Sequence, residues 1–308
     1  MNILLWHVHG SWTTAFVQGK HRYLVPVNAA RDVWGRGRAE TFEWPSTVEE
    51  RRLEDIHDVD VAIVQRPEEL DLVPAHVPVI YVEHNTPKGG VPDTRHPMAD
   101  RDDLIVAHVT HFNELFWDTG ATRTTVIEHG VVEPAARWTG DLERLAIVTN
   151  EPVRRGRVTG TDLFGRFAAV APLDVFGMGV ADLSGHRIAA YDDPPQHRMH
   201  ELVAHRRAYL HLCRWTSLGL SLIEAMQMGM PVLGLATTEA VAAVPPDAGV
   251  LSTRVDTLVE AAQWLLDEPS AAARLGARAR QVALTRYGLD RFLADWDRLL
   301  EEETCASR

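Results

Sequence analysis

The 308 residues hold only two cysteines, Cys213 and Cys305, far apart and the second in a polar tail. Neither a disulfide framework nor a cysteine metal site follows from that usage, and it fits a reducing cytoplasm. Basic charge is also scarce: 31 Lys and Arg stand against 43 Asp and Glu, a formal net charge of -12. That balance favours solubility and argues against a broad nucleic-acid or anionic-membrane surface. No apolar run approaches the roughly 18 residues needed to cross a bilayer, so membrane contact is expected to be peripheral at most. The opening run, residues 1–8, is apolar but has no basic flank and meets His7, His9 and Gly10 almost at once. It reads as a first buried strand rather than a signal segment. The motifs G-x-G-x-x-G, P-loop and G-x-S-x-G are all missing, which removes the usual sequence support for nicotinamide chemistry, nucleotide hydrolysis and acyl transfer.

What is present has a clear rhythm. The length exceeds the usual size of one hydrophobic core, so two domains are expected, with a cleft between them. Short apolar runs at 3–8, 23–27, 59–64, 79–82, 104–109 and 125–132 predict strands. A second series follows at 145–149, 173–177, 207–212, 231–235 and 250–251. Near-continuous Val, Ile and Leu without alternation is the pattern of parallel strands buried on both faces, and intervening helical stretches such as 112–117 would cover them. The stretch 133–141, with Pro134 and Gly140 and no periodicity, is the linker candidate. Helical spacing returns at 255–266, 271–286 and 289–303. The expectation is an α/β protein of two Rossmann-like domains, residues 1–136 and 137–288. A closing helix and tail, 289–308, has the option of packing back on the first domain.

One window stands out chemically. In LGLSLIEAMQMGM, residues 218–230, the only charged residue is Glu224. Leu222, Ile223 and Met226 share one helical face while Leu220 and Met228 flank Glu224 on the other, so the helix is expected to be buried nearly all round. A buried carboxylate needs a partner, which ligand hydroxyls or a nearby Arg would supply; an ordinary structural ion pair is the alternative. Just upstream, Thr216-Ser217-Leu218-Gly219 places a small turn at the helix start. Its free amides and the helix dipole would suit a diphosphate, and a simple cap by Thr216 or Ser217 is compatible with that. A second cluster, Arg154, Arg155 and Arg157, follows the first strand of the second half.

The stretch RWTSLGLSLIEAMQMGMPVLGL resembles the signature of family 4 retaining glycosyltransferases of the GT-B fold, E-G-F-G-L-x-x-x-E-A-M-A-x-G-x-P-V. Gly219, Leu220, Glu224, Ala225, Met226, Gly229, Pro231 and Val232 match in register. The resemblance implies that Glu224 binds the nucleotide ribose and that the amides from Ser217 through Leu218 and Gly219 to Leu220 contact phosphate or sugar. Thr216 replaces the family's first acidic residue, which touches the donor sugar, and brings a hydroxyl without charge. Aligned on Gly156, the family's G-R-L-x-x-x-K-G places Arg155 at its Lys and Asn150 at its Arg. Arg155 would then bind diphosphate, with Arg154 or Arg157 replacing the missing Arg.

In the first half the same resemblance points to His84, at the end of a strand, as the residue near donor sugar and acceptor. Residues 126–132 resemble V-I-P-N-G-V-D, with His129 at the Asn position. Gly10 stands alone where many relatives carry two glycines. Fifteen histidines invite a metal hypothesis, with His7 and His9, His108 and His111, and His197 and His200 the tightest pairs. Two imidazoles are too few for zinc and no third ligand is evident, so no metal site is expected. The reaction implied is transfer of a sugar from a nucleoside diphosphate sugar to an acceptor hydroxyl, with retention of configuration and no cofactor beyond the donor. The rival is a catalytically silent nucleotide-sugar-binding or scaffold protein of the same fold, which Thr216 and Asn150 motivate.

Overall fold

The computed structural model describes residues 1–306. The chain divides into two compact units, one of residues 1–132 together with the segment from Leu289 onward, the other of residues 133–288.

The first unit contains strands β1 (Asn2–Leu5), β2 (Arg22–Pro26), β3 (Val48–Arg51), β4 (Val61–Val64), β5 (Val79–Glu83), β6 (Leu104–His108) and β7 (Arg123–Val126). They form one parallel sheet in the order β3-β2-β1-β4-β5-β6-β7. Ile3, Leu4, Leu5 and all of β4 are fully buried, which is why this stretch shows no alternation in the sequence. Helices α1 (Gly10–Phe16) and α2 (His111–Phe116) follow β1 and β6. Thr110 caps α2 by accepting from the Asn113 amide.

The second unit contains β8 (Leu142–Val148), β9 (Leu173–Gly177), β10 (Ile188–Asp192), β11 (Arg206–His211), β12 (Val232–Leu235) and β13 (Gly249–Ser252), parallel and ordered β10-β9-β8-β11-β12-β13. Its helices are α3 (Pro152–Arg155), α4 (Phe164–Ala168), α5 (Gln196–Ala204), α6 (Leu220–Met228), α7 (Ala240–Ala243), α8 (Val255–Asp267) and α9 (Pro269–Tyr287). The chain closes with α10 (Leu289–Ala306), which belongs to the first unit: Phe292 and Trp296 pack edge-on against Trp12, and His21 bonds Asp297 at 2.8 Å. Both sheets follow the doubly wound Rossmann order, so the expected α/β class with two Rossmann-like domains is what the chain forms. Each sheet has its switch point where the order reverses, between β1 and β4 and between β8 and β11, and ligands of such sheets bind beyond the carboxyl ends of those strands.

Two strands escape the sequence pattern, β3 and β10, and both are sheet edges. With one flank unpaired they are partly exposed: β3 is Val-Glu-Glu-Arg, with no apolar run, and β10 is Ile-Ala-Ala-Tyr-Asp, a short run of small residues without the Val, Ile and Leu of the central strands. The expected strand at 125–132 is also cut short. Pairing with β6 ends where the Ile127 amide meets the His108 carbonyl at 3.0 Å. Ile127 and Val131 are apolar because they are buried beyond the ladder, not because they extend it.

Helix α6 is held by close backbone contact. Gly229 ends it at φ 92°, a left-handed conformation that favours glycine. A Cβ on Gly276 of α9 would fall 2.0 Å from the Gly229 carbonyl oxygen, so glycine is required at that crossing as well. Residues 222–228 are all buried, and each large apolar side chain among them contributes about 1.5–3 kcal/mol.

Candidate functional site

The switch point of the second sheet gathers most of the predicted donor-site residues. Asn150, Arg154 and Arg155 follow β8, while Thr216, Ser217, Leu218, Gly219 and Leu220 lead from β11 into α6. After β8 the backbone turns sharply: Glu151 takes φ 54° and α3 begins at Pro152. Within this basic cluster the guanidinium groups are not equivalent. Arg154 is 71% exposed and pairs with Glu151 at 3.3 Å, and Arg157 pairs with Asp162 at 3.2 Å, which also holds Arg214 at 2.6 Å. Among the described residues the Arg155 side chain has no hydrogen-bond or ion-pair partner; its backbone amide donates to the Glu151 carbonyl at 2.9 Å. Its charge acts on Cys213, the residue after Leu212 beyond β11, opposing the burial that raises that thiol's pKa. A half-buried, unpaired guanidinium beside the switch point is the group best suited to accept an incoming anion. Asn150 is committed elsewhere: its side-chain oxygen accepts from the Met178 amide at 3.0 Å and ties this loop to the end of β9.

Gly219 occupies the N-cap of α6 with φ -72° and ψ 123° and, being glycine, offers no side-chain cap. The expectation that Thr216 or Ser217 caps this helix is therefore not met; both lie too far upstream of the first turn. Ser217 is buried and Thr216 partly so. A Cβ on Gly219 would lie 3.1 Å from Cε1 of His211, so a larger residue would press on the end of β11. At the second residue of α6, the Ser221 hydroxyl meets the Tyr209 hydroxyl at 2.9 Å and donates to the Val148 carbonyl at 3.4 Å. These bonds set the helix start against the ends of β8 and β11, with the positive end of its dipole directed at the switch point.

Glu224 is 5% exposed. Gln196 donates its amide to one carboxylate oxygen at 2.9 Å, and His200 Nε2 bonds the other at 3.1 Å. Both partners come from α5, and no Arg pairs with Glu224 among the described residues, so the Arg option falls away. A carboxylate offers about four acceptor positions, and two are taken, which leaves capacity for two more donors. Gln196 and His200 were not legible as site residues. The His197 and His200 pair suggested only a metal, whereas His200 alone faces the site.

In the first unit, Gly10 opens α1 directly after His9, and His84 follows β5. The His84 ring lies 4.1 Å from that of His9, 5.0 Å from Trp12 and 6.5 Å from His129. Its Nε2 is enclosed without a hydrogen-bond partner among the described residues. Burial, then the neighbouring imidazoles, holds the His84 pKa well below the ordinary value. Burial likewise lowers His9 to about 4 and His129 to about 3, so all three rings are neutral near pH 7. The loop carrying His129 is fixed by α10: Arg291 donates to the Glu128 carbonyl at 2.9 Å and to that of His129, and a Cβ on Gly130 would fall 2.3 Å from Phe292. Among the described residues no group of three or more His, Cys, Asp or Glu is placed to hold a metal ion. No helix there is long and apolar enough to cross a membrane.

Residues 185–282, about a third of the chain, match the family model described as glycosyl transferases group 1. No curated protein matches the chain in sequence. Among solved structures, sucrose-phosphate synthase from Thermosynechococcus elongatus superposes with a TM-score of 0.75 at 15% identity, covering 99% of this chain and 100% of its own. The Anabaena protein HepE, in complex with UDP and glucose, gives 0.74 at 14% identity over 98% of this chain and 100% of its own. A glycosyltransferase of avilamycin A biosynthesis gives 0.68 at 14% identity over 99% and 98%. At such identities the superpositions establish the GT-B fold.

Proposed function

We propose that this chain of GT-B fold is a glycosyltransferase, that the switch point of its second sheet binds a nucleoside diphosphate sugar, and that it transfers the sugar with retention. The observation that carries this reading is Glu224, a buried carboxylate on α6 whose two protein partners leave lone pairs for two vicinal ribose hydroxyls. Arg155 and the amides of Gly219 and Leu220 at the start of α6 take the diphosphate, supplying positive charge without an obligatory metal. Thr216 hydrogen-bonds the sugar where related enzymes place a carboxylate.

In the reaction, the bond between the anomeric carbon and the diphosphate oxygen breaks and the acceptor oxygen bonds that carbon from the same face. The acceptor proton passes to the departing diphosphate oxygen. Arg155 and the α6 dipole stabilise the charge developing there, which is where electrostatic catalysis acts. His84, neutral near pH 7, serves as a hydrogen-bond partner to sugar or acceptor rather than as a strong base. The first unit is assigned the acceptor.

A thermal-shift screen with UDP, GDP, ADP and dTDP, free and as sugar conjugates, tests the donor site. UDP-glucose is the first donor to try, since HepE was captured with UDP and glucose. One nucleotide should raise the melting temperature of the wild type and leave Glu224→Ala unmoved; no shift from any of them at millimolar concentration would overturn the placement.

A specific observation favours a second reading, a protein that binds the nucleotide sugar without turning it over. Asn150 stands where related enzymes carry an Arg, and its side chain is engaged with Met178. Nucleotide binding with no donor cleavage in any acceptor screen would select that alternative.

A further inference from the structure

At the carboxyl end of β2 the chain forms a closed loop, residues 27–36, bridged antiparallel between Val27 and Arg36. The Asn28 amide donates to the Gly35 carbonyl at 3.0 Å, its side chain donates to Asp32 at 2.8 Å, and that carboxylate accepts from the Trp34 amide at 2.9 Å. A Cβ on Gly35 would fall 2.5 Å from Asn28, so the closure needs glycine there. Trp34 is thus held rigidly by its backbone, yet it is 39% exposed. The Arg66 guanidinium lies 4.4 Å from the ring centroid and is itself anchored by buried Glu69 at 2.7 Å and by the Val33 carbonyl at 2.8 Å. Core packing does not account for an aromatic fixed in this way on an exposed loop.

The indole borders a pocket of about 410 Å³, within the range of small-ligand sites. Leu53 and Leu72 give it an apolar wall, and Glu54, Glu68 and Asp71 line its polar side, with no Lys or Arg among the lining residues. Glu54 pairs with Arg52 at 3.3 Å. The carboxylates of Glu68 and Asp71 have no hydrogen bond or ion pair among the described residues. We infer that this pocket binds an uncharged saccharide, its C–H face on Trp34 and its hydroxyls donating to Glu68 and Asp71. A sugar ring presents both the flat apolar face that an aromatic platform takes and the donors that free carboxylates accept. The same carboxylates repel a phosphorylated or otherwise anionic ligand. Resting on the proposed transfer reaction, this makes the acceptor a neutral saccharide.

Saturation-transfer NMR on the full chain tests the pocket, with methyl glucoside, methyl galactoside, methyl mannoside, maltose and glucose 6-phosphate as probes. At least one neutral sugar should give a signal that falls tenfold or more in Trp34→Ala, while glucose 6-phosphate gives none. Glu68→Gln with Asp71→Asn, both at exposed positions, should also weaken the neutral-sugar signal. An unchanged nucleotide-induced thermal shift in each variant shows that the fold is intact. Silence from every neutral sugar, a signal indifferent to Trp34→Ala, or an equal Trp34-dependent signal from glucose 6-phosphate would overturn the inference. A Trp34-dependent sugar signal from a chain that binds no nucleotide would uphold the pocket and sink the donor site instead.

Discussion

Replacing Glu224 with Gln changes one oxygen for an amide and removes one charge from the centre of the proposed donor site, with almost no change in volume. In the free protein the effect is local, because Gln196 still finds an acceptor oxygen in the new side chain while the bond to His200 is weakened. In the nucleotide complex the loss is larger. Two ribose hydroxyls would each donate to the carboxylate, and a hydrogen bond to a charged group is worth about 1.5–3 kcal/mol against about 1 for a neutral pair. The amide can accept from only one hydroxyl, at neutral strength, so the net loss is about 2–5 kcal/mol, or about 30- to 4,000-fold in affinity. Isothermal titration of UDP, or of whichever nucleotide shifts the wild type, into both proteins measures it, with circular dichroism to confirm folding. A dissociation constant within threefold of wild type in a folded Glu224→Gln protein would refute the ribose assignment.

Three further outcomes follow from the geometry. Arg155→Ala should weaken diphosphate binding by about 10- to 100-fold, one charge-assisted contact, and leave the melting temperature unchanged because the Arg155 side chain has no protein partner to lose; Arg154→Ala, solvated and paired with Glu151, should do neither. Gly276→Ala forces a methyl group against the Gly229 carbonyl, so α9 must back away from α6; equilibrium urea denaturation should show a loss of about 1–3 kcal/mol, and no loss would contradict the close crossing. Stability should also decline as pH falls below the ordinary imidazole value of 6.5. His9 and His211 are lowered by burial to about 4, and His108 and His129 to about 3, so below pH 6.5 the unfolded chain binds protons that the folded one refuses. Each imidazole then costs on the order of 2 kcal/mol between neutral pH and about pH 5; denaturant midpoints that stay constant across that window would contradict the burial of these rings.

The core of each sheet was legible because fully buried parallel strands leave uninterrupted apolar runs, as in Val61–Val64 and Leu173–Gly177. The edges were not: β3 and β10 each pair with one neighbour and are partly exposed, so β3 carries polar residues that mask the strand and β10 carries two alanines in place of the bulky residues of the central strands. At the candidate site, the isolation of Glu224 in an apolar helix was readable from local pattern. Its partners were not, because Gln196 and His200 sit more than twenty residues upstream on α5 and meet it only through the tertiary fold. The same limit applies to His84, whose neighbours His9 and His129 come from the ends of other elements. The resemblance singled out Arg155 among the clustered arginines, but that its neighbours Arg154 and Arg157 are occupied, by Glu151 and Asp162, was visible only in the fold.

The most direct test of the central claim is a crystal structure of the protein with UDP bound. The account predicts the ribose hydroxyls on Glu224, and the diphosphate between Arg155 and the amides of Gly219 and Leu220. Nucleotide density bound on the first unit, or on the second with Glu224 still engaged only by Gln196 and His200, would contradict it.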